Sequence, residues 1–283
     1  MQDTGVCPLC SSIQHRHQYT DPSAPEGQNR ELVECLECSL VYVPHARELA
    51  FNDLLASAYL DDWALLDLSG IAYQYNVLLK AKQQLGVGNY RELTTEPALL
   101  DVGCGAGYFL DHCRAHGWRV MGVEPWREIA DWAGKYLKLD VLPTSLANAK
   151  VNERSFDAVT AHDVLQFMRD PLAFLRRCHD LLMPGGVLVV TVPNFGSRER
   201  EAQGWQWHQI IPYAHLVYFS ADTLKRAARQ AGFGRTMIEP VGGAYGDAQL
   251  ILSTRRGPEP SIKLADISGT IEESNLPVLD RTC

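Results

Sequence analysis

Apolar and polar positions change their spacing several times along the chain. From residue 97 onward, short apolar runs are followed by segments whose apolar residues recur at three and four positions. The runs at 97–102 and 119–125, the start of 155–168 and the run at 186–194 therefore predict strands, and the segments between them predict helices. The last two apolar runs before residue 257 predict an antiparallel pair. This alternation indicates an α/β fold with a doubly wound, mostly parallel sheet.

The regions on either side of this pattern differ from it. Residues 46–90 space their apolar positions in a helical period, so they predict a helical cap or linker that ends near Gly86 and Gly88. The α/β pattern then occupies residues 91–256. Residues 257–283 predict a tail that is either disordered or laid along the surface as an extended arm.

Four cysteines near the start form two C-x2-C pairs, Cys7 with Cys10 and Cys35 with Cys38. Two such turns supply four thiolates, the closed tetrahedral set of a structural Zn²⁺ site, which leaves no open position for catalysis. Because a short segment cannot build a large core, metal binding would supply its folding energy. Residues 1–45 therefore predict a zinc ribbon. Disulfides or chance pairing are the alternatives, and His15 or His17 could replace a cysteine ligand.

Charge limits the partners of this ribbon. The chain has 283 residues and a formal net charge of −8, and residues 1–50 hold seven acidic residues, three Arg and no Lys. Such a surface repels phosphate and disfavours nucleic acid as a partner. A structural or substrate-lid role fits better. Neither a signal peptide nor an apolar run of membrane length is present, so we expect a cytoplasmic protein with no membrane partner.

A glycine-rich turn follows the first predicted strand of the α/β region, in the sequence 101–107. Asp101 precedes a G-x-G-x-G run, whereas a dinucleotide site needs a further glycine at position 108, where Tyr108 stands. The acid also suits an ammonium group better than a pyrophosphate. The turn therefore predicts a cofactor site at the carboxyl ends of the strands that departs from the dinucleotide pattern.

With these residues in view, the chain resembles the class I S-adenosylmethionine-dependent methyltransferases over about residues 98–254. The stretch LLDVGCGAGYF resembles their first motif, VMGVEPW their acidic second strand, and 156–171 with 181–194 their fourth and fifth strands. The resemblance implies a seven-stranded, Rossmann-like methyltransferase sheet and S-adenosyl-L-methionine as cofactor. The implied cofactor-binding residues are Asp101, Gly103, Gly105, Gly107, Glu124, Pro125, Ser145, Leu146 and Ala161, with Tyr59 and Tyr73 as candidates to close over the cofactor.

The chain departs from many relatives in one motif. Where they read VLEH, this chain has Val164-Leu165-Gln166-Phe167, so neither the Glu nor the His can act here.

The aromatic stretch at 204–220 follows the fifth strand and therefore falls at the sheet edge where the methyl group is transferred. Its aromatic residues are candidate acceptor walls: Trp205, Trp207, Tyr213 and Tyr218. A general base helps when the acceptor is a hydroxyl, and His titrates near neutrality. His215 is the first candidate, with a structural histidine bonded to backbone as its alternative. His208 and His162 are further candidates.

These observations favour methyl transfer to a small-molecule acceptor, a biosynthetic intermediate, by in-line displacement. An RNA or protein methyltransferase that grips its substrate with the ribbon is one alternative. A non-catalytic protein that binds the cofactor is the other.

Overall fold

The computed structural model describes residues 5–24, 31–44, 68–85 and 96–257. Tyr59, the tail 258–283 and most of the predicted helical linker lie outside these residues. Of that linker, the structure describes helix α1 (Leu68–Gln84). Among the described helices, none combines the length and the apolar character that a membrane crossing needs.

The first described unit is a small antiparallel sheet built on two equivalent tight turns. Its strands are β1 (His15–Thr20), β2 (Glu31–Cys35) and β3 (Val41–Tyr42). The turns begin at Cys7 and Cys35. In each turn, the backbone amide four residues later donates a hydrogen bond to the cysteine carbonyl, at 3.0 Å for Cys7 and 2.9 Å for Cys35. These later residues, Ser11 and Ser39, have left-handed backbones with φ of 61° and 60°. The matching geometry brings the two cysteine pairs together.

The second unit is the α/β domain that the apolar pattern predicts. Its strands are β4 (Ala98–Val102), β5 (Arg119–Val123), β6 (Val141–Leu142), β7 (Phe156–His162), β8 (Leu182–Pro193), β9 (Val217–Tyr218), β10 (Thr236–Val241) and β11 (Gln249–Arg255). Its α-helices are α2 (Tyr108–Ala115), α3 (Arg127–Trp132), α4 (Pro171–Leu181), α5 (Arg198–Gln203) and α6 (Ala221–Gln230). A π-helical turn (Ala133–Leu137) and 3₁₀ turns (Leu165–Phe167 and Gly204–Gln206) complete the set.

The large sheet has seven strands in the order β10-β11-β8-β7-β4-β5-β6. All pairs from β8 to β6 are parallel, whereas β11 runs antiparallel to both β8 and β10. This confirms the predicted doubly wound, mostly parallel, Rossmann-like sheet and its closing antiparallel pair. The central parallel strands β4, β7 and β8 are buried along almost their whole length, because helices cover both faces.

Local capping chemistry starts two of the helices. The Asp170 carboxylate accepts a hydrogen bond of 2.8 Å from the Ala173 amide, ahead of Pro171 in the first turn of α4. Ser220 forms a capping box with Thr223 at the start of α6. The strand after α4 begins earlier than its sequence predicts, at Leu182 rather than after the glycine pair, because Leu182 already pairs with Phe156 of β7.

The two units share one core. Strand β9 lies in the aromatic stretch after β8, yet it pairs with β3 of the small sheet, with Val41 opposite Tyr218 and Tyr42 opposite Val217. Apolar residues of the small sheet, among them Leu40, belong to the same buried cluster as those of β4, β7 and β8. The small sheet is therefore built into the domain, next to the carboxyl edge of the large sheet.

Candidate functional site

The glycine turn after β4 is held tightly against the neighbouring strand β5. The Gly103 amide donates a hydrogen bond of 2.7 Å to the Val123 carbonyl. Gly103 has a φ of +71°, and a Cβ there would lie 2.5 Å from a methyl of Val164. Gly105 has a φ of +52°, but a Cβ there would meet nothing within 4 Å. The turn therefore needs glycine for its backbone, and at Gly105 it leaves open space for a ligand.

Glu124 follows β5 and closes the same turn from the other side. Its carboxylate accepts hydrogen bonds from the Gly105 amide at 3.0 Å and the Trp126 amide at 2.9 Å. Burial raises the pKa of Glu124, and the two backbone amides oppose that shift. Each oxygen keeps a second lone pair, so the carboxylate can also accept hydrogen bonds from two hydroxyl groups of a ligand.

Asp101 is the buried acid that precedes the turn. The Thr160 hydroxyl on β7 donates a hydrogen bond of 2.7 Å to its carboxylate. The pKa of Asp101 is raised to about 7. Burial is the main cause, the hydrogen bond from Thr160 opposes the shift, and the nearby Glu124 adds to it. Two buried acids with raised pKa values indicate a site for a group that carries positive charge.

The turn and both acids open into one large cleft, here called the central cleft, with a volume of about 1260 Å³. Its cofactor side lies along the ends of β4, β5 and β6. The predicted cofactor residues that line this side are Asp101, Gly103, Gly105, Glu124, Pro125, Ser145 and Leu146. Of the other predicted residues, Gly107 begins α2, with a φ of +81°, and Ala161 lies fully buried within β7. Tyr73 is half-exposed on α1 and lines a separate small pocket.

His162, at the end of β7, faces the central cleft. Its ring packs edge-to-face on Phe109, with centroids 5.1 Å apart. Neither ring nitrogen has a hydrogen-bond partner among the described residues, and both are shielded from solvent. Burial lowers the pKa of His162 to about 4, so the ring is neutral at physiological pH. An unpartnered buried polar group at a cavity wall points to a ligand that completes it.

The sequence of the domain matches a known protein family. Residues 74–235 match the profile of a family described as a methyltransferase domain. The chain belongs to the class I S-adenosylmethionine-dependent methyltransferases. A probable S-adenosylmethionine-dependent methyltransferase of Mycobacterium tuberculosis is similar to it, with 25% identity over 247 residues that cover 80% of this chain and 88% of that protein.

Two more relatives match a smaller part of this methyltransferase. A ubiquinone biosynthesis O-methyltransferase of a Bradyrhizobium species is 35% identical over 101 residues, which cover 34% of this chain and 40% of that protein. A Thermotoga maritima structure, described as an S-adenosylmethionine-dependent methyltransferase and possible histamine N-methyltransferase, shares 21% identity. The superposition of the two structures covers 66% of this chain and 96% of the Thermotoga maritima chain, with a TM-score of 0.47.

The other two candidate histidines of the methyltransferase lie outside the lining of the central cleft, as far as the described residues show. His215 is buried, and its Nδ1 lies 3.0 Å from the Gln209 carbonyl, to which it donates. Its ring also packs against Phe167 and Tyr218. Burial lowers the pKa of His215 to about 4. His208 is exposed beside Trp207.

The aromatic residues of 204–220 mostly join the two units of the methyltransferase. Trp205 stacks on Tyr19 of β1, with centroids 4.9 Å apart and nearly parallel planes. Trp207 is almost fully buried, and the Tyr218 hydroxyl accepts a hydrogen bond from the Ile211 amide at 3.1 Å. Tyr213 is half-buried. Among the described lining residues, this stretch contributes Leu216 and Val217 to the central cleft rather than these aromatics.

The small sheet forms the wall opposite the large one. Its residues that line the central cleft are Gly5, Val6, Cys7, Pro8, Ser11, Tyr42 and Val43. The Tyr42 hydroxyl donates a hydrogen bond of 3.0 Å to the Gly5 carbonyl and ties the two parts of this wall together. The sequence favours a structural or substrate-lid role for the ribbon, but it does not identify these lining residues, because their position depends on the pairing of β3 with the distant β9.

Further lining residues come from the segment after β7, which the sequence marks only by its departure from the VLEH pattern. They are Asp163, Val164, Phe167, Met168 and Arg169, followed by Asp170 and, on α4, Leu172, Ala173, Phe174, Arg176 and Arg177. Asp163 has a left-handed backbone, with a φ of 55°. Such a conformation is uncommon for a residue other than glycine.

The four ribbon cysteines form a compact group beside the same cleft. The Sγ atoms of Cys7 and Cys38 are 3.5 Å apart, and those of Cys10 and Cys35 are 3.4 Å apart. All four sulfur atoms lie within 4.8 Å of one another. Every cysteine among the described residues is a free thiol, so the two pairs are not disulfides in this structure.

Proposed function

We propose that this methyltransferase transfers a methyl group from S-adenosyl-L-methionine to a small-molecule acceptor, and that both bind in the central cleft. The carrying observation is that one continuous cleft joins the glycine turn and its two acids to a walled space in front of His162. The space is bounded by the small sheet, which suits a compact acceptor. The partial similarity to ubiquinone biosynthesis O-methyltransferases supports a small-molecule acceptor.

The cofactor side of the cleft has the donor and acceptor groups that the cofactor needs. When bound, S-adenosyl-L-methionine supplies a methyl group on a positively charged sulfonium. Glu124 would accept hydrogen bonds from its ribose hydroxyls, and Asp101 lies on the side suited to its ammonium group. The open face of Gly105 lets the backbone approach closely. Ser145 and Leu146 would border the adenine.

We assign the base to His162 rather than to His215. The Nδ1 of His215 already donates to the Gln209 carbonyl, whereas neither ring nitrogen of His162, a residue that lines the cleft, has a partner among the described residues. A neutral imidazole has one nitrogen that accepts a hydrogen bond from an acceptor hydroxyl. Once the oxygen is methylated its proton becomes strongly acidic, so a ring whose pKa is about 4 can take it up. His162 thus orients the acceptor and receives the proton.

Binding of S-adenosylhomocysteine tests the cofactor site. We expect isothermal titration to give a dissociation constant in the micromolar range, and absence of binding would refute the proposal. His162→Asn should lower turnover strongly at unchanged affinity for S-adenosylhomocysteine. His215→Asn is the matched comparison, and a larger turnover loss there, again with unchanged affinity, would move the base to His215.

We also propose that residues 1–45 bind a structural Zn²⁺. The fit is good, because tetrahedral Zn–S bonds of about 2.3 Å place the sulfur atoms about 3.8 Å apart. The observed separations of 3.4 Å and 3.5 Å need only a small expansion. Our proposed domain division continues with a helical segment (46–90), the methyltransferase domain (91–256) and a tail (257–283). We also propose that the protein is located in the cytoplasm.

Metal analysis tests the zinc proposal. Protein purified with zinc in the growth medium should contain one Zn²⁺ per chain. Cys35→Ser should abolish this content, whereas Cys113→Ala, which removes a buried thiol on α2, should retain it. A metal-free protein that remains folded would contradict the proposal.

A further inference from the structure

Asp163 stands at the carboxyl end of β7, where the large sheet divides into two sides. The strands β4, β5 and β6 carry the proposed cofactor residues on one side, and β8 and β11 lie on the other. His162 packs toward α2 through Phe109. The Asp163 side chain lies toward β11, where its carboxylate contacts the Gln249 amide nitrogen, and its backbone amide donates to the Thr191 carbonyl and hydroxyl on β8, both at 3.1 Å. The two neighbouring side chains therefore serve different sides of the cleft.

The Asp163 carboxylate is poorly satisfied by the protein. Its contacts with the Gln249 amide nitrogen on β11 measure 3.4 Å and 3.5 Å, at the outer limit for a hydrogen bond. No ion pair joins it to a lysine or arginine within the described ranges 5–24, 31–44, 68–85 and 96–257. Burial raises its pKa to about 6, so the protein itself disfavours the charge at this position.

The backbone of Asp163 adds to this cost. Its φ of 55° is one that glycine or asparagine adopts with equal or less strain. Folding stability alone would therefore favour a residue without charge here. A half-buried carboxylate that is held at an unfavourable backbone position and lines a cavity is typical of a group that serves a ligand.

We propose that Asp163 binds the methyl acceptor, by accepting a hydrogen bond from a hydroxyl or ammonium group that the acceptor carries. This inference rests on the proposed function and specifies the acceptor as a hydrogen-bond donor. A carboxylate attracts such groups and repels acceptors that present only acidic oxygens. The acceptor then lies with one polar group on Asp163 and its reacting atom toward His162.

Binding to the enzyme saturated with S-adenosylhomocysteine tests this assignment. The probes are catechol, which has two hydroxyl donors, and benzylamine, which has an ammonium donor. Veratrole is the control, because it has the catechol skeleton with both hydroxyls methylated. We expect at least one donor probe to bind the wild type at least tenfold more tightly than veratrole. Asp163→Asn should weaken that probe at least tenfold and leave veratrole and S-adenosylhomocysteine unchanged.

The outcomes separate the two proposals. Failure of S-adenosylhomocysteine to bind overturns the proposed function. Normal S-adenosylhomocysteine binding with no preference for either donor probe, or with equal probe affinity in Asp163→Asn, overturns the assignment of Asp163. Thermal unfolding supplies the second readout. Asp163→Asn and Asp163→Gly should raise the melting temperature of the free protein, with the exposed Asp131→Asn as control. A lower melting temperature in both variants would assign Asp163 a structural role.

Discussion

The buried acid Asp101 should make the stability of the free protein depend on pH, and Asp101→Asn isolates its contribution. The pKa of this carboxyl rises from 3.8 in the unfolded chain to about 7 in the folded protein, chiefly through burial. Between these values the folded protein keeps a proton that the unfolded chain has lost. Stability is therefore highest below the unfolded pKa and falls as the pH rises toward 7.

The size of the effect follows from the two pKa values. Each pKa unit corresponds to about 1.36 kcal/mol, so the full loss approaches about 4 kcal/mol at high pH. At pH 5 roughly 1–2 kcal/mol of it is already lost, so about 2–3 kcal/mol remains to be lost by pH 8. Asn cannot ionise, and its side-chain oxygen still accepts the Thr160 hydrogen bond. The free energy of unfolding of Asp101→Asn relative to wild type should therefore rise by about 2–3 kcal/mol from pH 5 to pH 8.

Urea unfolding at pH 5 and pH 8, without cofactor, measures this difference. The exposed Asp140→Asn is the matched control for the chemical change itself. The reasoning is refuted if Asp101→Asn differs from wild type by the same amount at both pH values. A second measurement is the binding of S-adenosylhomocysteine. Asp101→Asn should bind it more weakly than the wild type does, because Asn offers no charge to the ammonium group.

Three further predictions concern the glycine turn and the junction of the two units. Glu124→Gln should weaken S-adenosylhomocysteine binding about 100-fold, since charge-assisted hydrogen bonds are lost; unchanged affinity by calorimetry would exclude Glu124 from the ribose site. Gly103→Ala should lower the free energy of unfolding by about 1–3 kcal/mol, because of its left-handed backbone and the close Val164 methyl. Gly196→Ala, whose added Cβ would approach other atoms no closer than 3.4 Å, is its control, and equal losses would contradict the argument. A double-mutant cycle on Tyr19→Ala and Trp205→Ala should give a coupling energy of about 0.5–1.5 kcal/mol in urea unfolding; strictly additive effects would mean that the stacked rings do not join the units.

The periodicity of the chain was enough to predict the large sheet. Apolar runs of strand length separated by amphipathic segments admit few arrangements other than a parallel α/β sheet, and the observed strand order agrees. The proposed cofactor side of the cleft could also be predicted from the sequence. Asp101, Gly105 and Glu124 lie at the ends of consecutive strands, so the edge that they share follows from the order of the elements.

The acceptor side could not be predicted in the same way, because it is assembled from distant parts of the chain. The aromatic stretch 204–220 predicted a cleft wall, but Trp205 stacks on Tyr19, and Leu216 with Val217 face the cleft instead. That outcome depends on β9 pairing with β3, a contact between residues far apart in sequence. Likewise, a list of residue types does not show that the ring nitrogens of His162 have no partner among the described residues, or that Asp163 has a left-handed backbone.

The sequence by itself therefore determined the fold, the glycine turn with its two acids, and the four cysteines, because each depends on spacing within one local segment. Only the tertiary structure decided which histidine faces the cleft and which surface closes it. His215 is buried, and His162 is half-buried with both ring nitrogens shielded from solvent. The two histidines differ in the partners of their ring nitrogens. The Nδ1 of His215 donates to the Gln209 carbonyl, whereas the ring nitrogens of His162 have no partner among the described residues. Packing, rather than the local sequence, fixes this difference.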